Sequence, residues 1–127
     1  MIINIPVSLG ELMDKISILK IKKKNISNKK KLIFINDELS LLEKILSKSN
    51  NDNQITIYLD KLVSINSKLW KIEDDIRYCE KEKKFNQKFI DLARAVYITN
   101  DERSEIKLEI NKFFGSKIVE IKSYEEY

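Results

Sequence analysis

The 127-residue sequence has no histidine and only one cysteine (Cys79), one tryptophan (Trp70), one proline and two glycines. Without histidine it lacks the commonest general base near neutral pH and the commonest zinc ligand. A single cysteine can neither close an internal disulfide nor build a cysteine metal cluster, so no metal and no cofactor is expected. No apolar run approaches the roughly 18 residues of a membrane span. The opening residues, MIINIPVS, lack the basic region and apolar core of a signal peptide, and the predicted compartment is the cytoplasm. Any chemistry would fall to carboxylates, Lys, Tyr, Ser or Arg.

Arginine is scarce as well: three residues, Arg77, Arg94 and Arg103, against twenty-one lysines. A guanidinium makes planar, two-pronged hydrogen bonds that an ammonium cannot, so arginines kept in a lysine-rich chain are candidates for specific carboxylate or phosphate contacts. Structural ion pairs are the plainer explanation. The net charge of +4 comes from 24 basic and 20 acidic side chains mixed along the chain. A nucleic-acid binder usually concentrates its cations on one face, so the basic balance argues little for such a partner. The one concentration, Lys22 to Lys24 with Lys29 to Lys31, reads as a solvated corner, with an anionic docking patch as the other reading.

What is present is helical periodicity. With 43% apolar residues, the chain is predicted to be one all-α domain over residues 1–127. Five helices are expected, at residues 8–26, 29–48, 53–84, 87–98 and 100–114, with the third long and central. Ser8 and Glu11 form a capping-box pattern flanked by Val7 and Leu12. Leu9, Leu12, Met13, Ile16, Leu19 and Ile26 make one stripe, while Ile18 and Ile21 point the other way with Asp14, so the first helix should touch something on two sides. Ser27 or Asn28 caps the second helix. The third carries four heptads, Ile55, Leu62, Leu69 and Ile76 with Tyr58, Ile65, Ile72 and Cys79, a pattern suited to an antiparallel hairpin or short coiled coil. Residues 1–7 are mostly apolar and β-branched and 117–124 alternate, both like short strands; a lone strand is unstable, so the tail is expected to pair with the N-terminal segment or with its copy in a second subunit.

Phe85 and Asn86 predict the next helix start, and Thr99-Asn100-Asp101-Glu102 repeats the capping-box pattern, predicting a break there. Such a break would crowd Arg94, Tyr97, Asn100, Asp101 and Arg103 around one corner, with free amides that favour an anion. On the third helix Glu73 and Arg77 pair one turn apart beside Trp70. The candidate ligand-binding set is therefore Arg77, Arg94, Arg103, Asn100, Asp101, Glu73 and Tyr97, with Glu73 or Asp101 as the available acid or base.

Val7-Ser8, Gly10-Glu11-Leu12 and Asp14-Lys15, then Leu69-Trp70, Ile72-Glu73-Asp74 and Ile76-Arg77, carry a resemblance that continues through Leu92-Ala93-Arg94, Val96-Tyr97, Thr99-Asn100-Asp101, Arg103, Ile110-Asn111, Val119-Glu120 and Lys122-Ser123-Tyr124. The sequence resembles a bacterial and phage family of small helical proteins, a domain of unknown function. The resemblance implies no activity; it implies a setting near glycosyltransferase genes and surface-polysaccharide synthesis. The favoured expectation is a non-enzymatic interaction module, a homodimer with a protein partner. The alternatives are a protein or enzyme that binds a small anion such as a sugar phosphate or nucleotide sugar, and non-specific nucleic-acid binding through the lysine corner.

Overall fold

The computed structural model describes residues 1–127 as four helices: α1 Leu9–Asn25, α2 Lys29–Ser49, α3 Gln54–Lys81 and α4 Gln87–Phe113. Three starts are capped as the side chains allow. The Ser8 hydroxyl accepts from the Glu11 amide at 3.1 Å, Asn28 from Lys31 at 3.1 Å and Asn86 from Phe89 at 3.4 Å. Both long helices end in the same closed turn. After α3 the Lys84 amide donates to the Cys79 carbonyl, which places Lys83 at φ 55°; after α4 the Ser116 amide donates to Asn111, with Gly115 at φ 66°. The left-handed position costs glycine nothing and costs lysine about 1 kcal/mol or more.

The helix that organises the packing is α1, and not the longer α3. It packs against all three others, whereas α2 packs against α1 alone. Hence the two apolar directions of α1: Leu12, Met13, Ile16 and Leu19 enter the core, and Ile21 is buried too. The core continues through Ile35, Leu39 and Leu46 of α2, Ile55, Leu62 and Ile65 of α3, and Ile110 of α4. Residues Gly10 to Asp14 run antiparallel to Arg103 to Asn111 of α4. The heptad positions of α3 are taken up inside the chain, with Leu62, Leu69, Ile72 and Cys79 all buried. No helix is long and apolar enough to cross a membrane.

Two expectations are corrected. There are four helices and not five, because Gln87 to Phe113 is one uninterrupted helix. Thr99, which was to begin a new helix, is 1% exposed in the middle of α4. A capping-box sequence does not end a helix when its threonine is packed inside and nothing breaks the ladder. The molecule also contains no strand. Met1 and Ile2 border a groove with Phe34 and Leu41 of α2, while the C-terminal tail lies back along α4, with Glu120 on Lys107 and Tyr127 on Asp101. The two terminal segments are committed to different helices, so neither supplies the other with a ladder partner.

Candidate functional site

Two matched polar faces join α1 to α4. Gly10, Asp14 and Ser17 recur at helical spacing on α1, and Arg103, Lys107 and Asn111 recur every four residues on α4. The Gly10 amide donates to Asn111 Oδ1 at 2.8 Å. A Cβ at position 10 would lie 2.6 Å from the Lys107 carbonyl oxygen and 2.9 Å from Asn111 Oδ1, so only glycine permits this approach. The Glu11 carboxylate does not return to its own helix start as a capping box would have it. It accepts from Lys107 Nζ at 2.8 Å, and Glu120 of the tail accepts from the same ammonium at 2.7 Å.

At the centre lies Asp14, only 1% exposed. Arg103 grips it with two prongs, Nε to Oδ1 at 2.9 Å and Nη2 to Oδ2. From α3, Asn66 Nδ2 donates to Asp14 Oδ1 at 2.9 Å and to the Ser17 hydroxyl at 2.8 Å, and that hydroxyl donates to the Asp14 carbonyl at 2.7 Å. Three helices thus converge on one buried carboxylate whose partners are complete, as a buried charge requires. The hydrogen bond with Asp14 holds the Arg103 guanidinium above its ordinary pKa, outweighing partial burial. Burial alone would lower Lys107, but its bonds to Glu11 and Glu120 raise it above the usual lysine value. The same bond from Lys107 holds Glu120 below the usual glutamate value.

Beside this network an open cleft of about 440 Å³ lies between α1, α3 and α4. Ile18, Ile21 and Leu69 give it apolar walls, Trp70 an aromatic one, and Asn66, Asn100 and Arg103 a polar floor. Glu73, Asp74 and Arg77 form its rim; the Arg77 side chain is 79% exposed and meets Glu73 at 3.4 Å. A second groove of about 450 Å³ lies under the tail, between Tyr97, Asn100 and Asp101 of α4 and Lys122, Tyr124 and Tyr127. Tyr127 donates to Asp101 at 2.6 Å, which pushes its phenol up to about 12.

The structure therefore divides the predicted site residues. Arg77, Arg103, Asn100 and Glu73 meet in the cleft; Tyr97 and Asp101 line the second groove, with Asn100 between the two. Arg94 lies exposed on the outer part of α4, lines neither, and enters no ion pair. The free amides expected at Asn100 to Arg103 do not exist, because α4 is continuous there. Asp14, Asn66, Lys107 and Asn111 were missed. The available signal was the pair of polar lines, Gly10/Asp14/Ser17 and Arg103/Lys107/Asn111, each on a helix otherwise turned toward apolar neighbours.

A family model described as "Family of unknown function (DUF6165)" matches residues 3–127, and the chain belongs to that family. No curated protein and no solved structure matches the chain.

Proposed function

We propose that this member of the family is a non-enzymatic recognition module whose binding face is the Trp70 cleft, and that the cleft receives a polar, hydroxyl-bearing ring such as the sugar part of a glycan precursor. One observation carries the reading: the two cations of the cleft are met locally. Arg103 is bound to Asp14 and Arg77 to Glu73, and Asp74 adds a further carboxylate. A lining with two cations and two carboxylates around one indole offers donors and acceptors for hydroxyls together with an apolar face for a ring, without a surplus of positive charge for a dense anion. A sugar ligand also agrees with the polysaccharide setting that the family resemblance implies, and the proposal extends to that cytoplasmic pathway.

A second reading, a sugar phosphate or nucleotide sugar held by an arginine pair, is favoured by the exposed Arg77–Glu73 contact. A surface ion pair of this kind is worth at most about 1 kcal/mol, so a phosphate spanning Arg77 and Arg103 could displace Glu73. Asp101 does not serve the cleft as an acid or base in either reading, since it faces the other groove and accepts from Tyr127. Ile21 on the second face of α1 and Leu62, Leu69, Ile72 and Cys79 of the α3 seam are buried within one chain, while Ile18 faces the open cleft; the homodimer stays a proposal, tested by sedimentation across a wide concentration range.

Trp70, the one tryptophan, supplies the test. Its fluorescence should change saturably on titration with neutral sugars, and Asn100→Ala should weaken that response. A response confined to phosphorylated sugars, and abolished by Arg77→Ala, selects the second reading. Silence to both classes overturns the cleft as a binding site.

A further inference from the structure

The corner where α1 passes into α2 carries Lys20, Lys22 to Lys24 and Lys29 to Lys31, with no carboxylate in the sequence between Asp14 and Asp37. None of these lysines enters an ion pair, and all but the half-buried Lys22 are exposed. Stability explains only half of them. Lys22 to Lys24 occupy the last turn of α1, where the helix dipole favours cations. Lys29 to Lys31 occupy the first turn of α2, which has no acidic residue, so three positive charges stand at the positive end of the helix. That placement costs α2 stability, and packing does not ask for it.

Apolar side chains stand beside these cations. Ile33 is 61% exposed and Phe34 76%, and they lie three or four residues from Lys29, Lys30 and Lys31 on the outer face of α2. Phe34 shares a groove with Met1, Ile2 and Lys22, which Asp37 and Glu38 close on the side away from the corner. A nucleic-acid duplex would use the lysines and gain nothing from a phenyl ring and an isoleucine. A bilayer with acidic headgroups uses both.

We propose that the α1–α2 corner is a docking surface for an anionic phospholipid bilayer, with the lysines on headgroup phosphates and Ile33 and Phe34 at the acyl boundary. The full-length protein should sediment with vesicles of phosphatidylcholine and phosphatidylglycerol, not with phosphatidylcholine alone, and release as NaCl rises. K29E/K30E/K31E should lower partitioning by more than roughly a hundredfold, at about a factor of five per lysine lost with the repulsion of three new carboxylates added. The same variant should melt at a higher temperature than the wild type, which separates lost docking from lost folding. Phe34→Ser, at an exposed position and with charge unchanged, should cost roughly tenfold.

Failure to sediment with anionic vesicles at low salt overturns the proposal. So does vesicle binding that Phe34→Ser leaves intact while a DNA duplex binds equally well, the outcome expected of a polyanion site. A wild-type dimer that Phe34→Ser converts to monomer, with no vesicle binding by either, would reassign the face to contact between copies. Trp70 also lines a groove with Lys20 and Lys24, so the cleft is read separately, by sugar titration without vesicles, and the docking surface by sedimentation.

Discussion

The two halves of α4 are built from the same helix by different means. From Thr99 to Phe113 it is tied to α1 by three side chains: Arg103 on Asp14, Lys107 on Glu11 and Asn111 on the Gly10 amide. From Gln87 to Ile98 none of its side chains pairs with another helix, and Arg94 is free in solvent. Both halves are helical to the same degree, so helix formation does not depend on the polar network. What the network sets is register: sliding α1 by one residue would leave Asp14 buried without Arg103. A fully satisfied buried ion pair adds little net stability over an apolar substitute, yet losing one of its partners is expensive.

The sharpest way to break the comparison is Asp14→Ala. It leaves the Arg103 guanidinium partly buried and unpaired and strips Asn66 of one acceptor, a loss of about 3–5 kcal/mol. Against a total stability of about 5–15 kcal/mol, the urea midpoint should fall steeply with little change in m value. Gly10→Ala comes next. The new methyl meets backbone and not a movable side-chain end at Lys107, so α1 must shift from α4 at a cost of about 1–3 kcal/mol in the same melt.

Glu120→Gln tests the tail, and its effect should depend on pH. Because the folded-state pKa of Glu120 is lowered, its contribution is present above the ordinary glutamate pKa and is lost as the pH falls through the lowered value. Lys107 is raised, so its share is present below the ordinary lysine pKa and is lost only as the pH rises through a still higher value. The substitution should therefore cost no more than about 1 kcal/mol at neutral pH, since Glu120 is 43% exposed, and nothing at strongly acid pH.

The outer half offers the contrasting pair. Lys83→Gly, at φ 55° in the turn between α3 and α4, should stabilise by about 0.5–1 kcal/mol, visible as a raised melting temperature. Arg94→Ala should stay within about 0.5 kcal/mol of the wild type. A loss of several kcal/mol at Arg94 would refute the division of α4 into two kinds of packing.

What the sequence disclosed follows the range of the interaction. Caps at Ser8, Asn28 and Asn86 depend on residues three apart and were readable. The break expected at Thr99 does not form, because a local capping pattern carries no information on the packing that buries the threonine. The strands misled for a related reason: β-branched residues in 1–7 and alternation in 117–124 say nothing of whether a partner lies alongside. Asn66 and Arg103 come to Asp14 from positions 52 and 89 residues away, a distance no local pattern reports. Arginine scarcity picked out Arg103 and Arg77, which share the cleft, and also Arg94, which does not, since rarity records retention without recording place.

Cys79 sits 3% exposed near the end of α3, five residues before the turn into α4 closes at Lys84. As the chain's one thiol, it makes the hairpin its own timekeeper: a disulfide reagent can reach sulfur only when α3 and α4 part there. The modification rate in native buffer, divided by that of the unfolded chain, reads how often this end gapes. Repeated after Asp14→Ala, the same ratio would tell whether loosening the welded half is felt at the far tip.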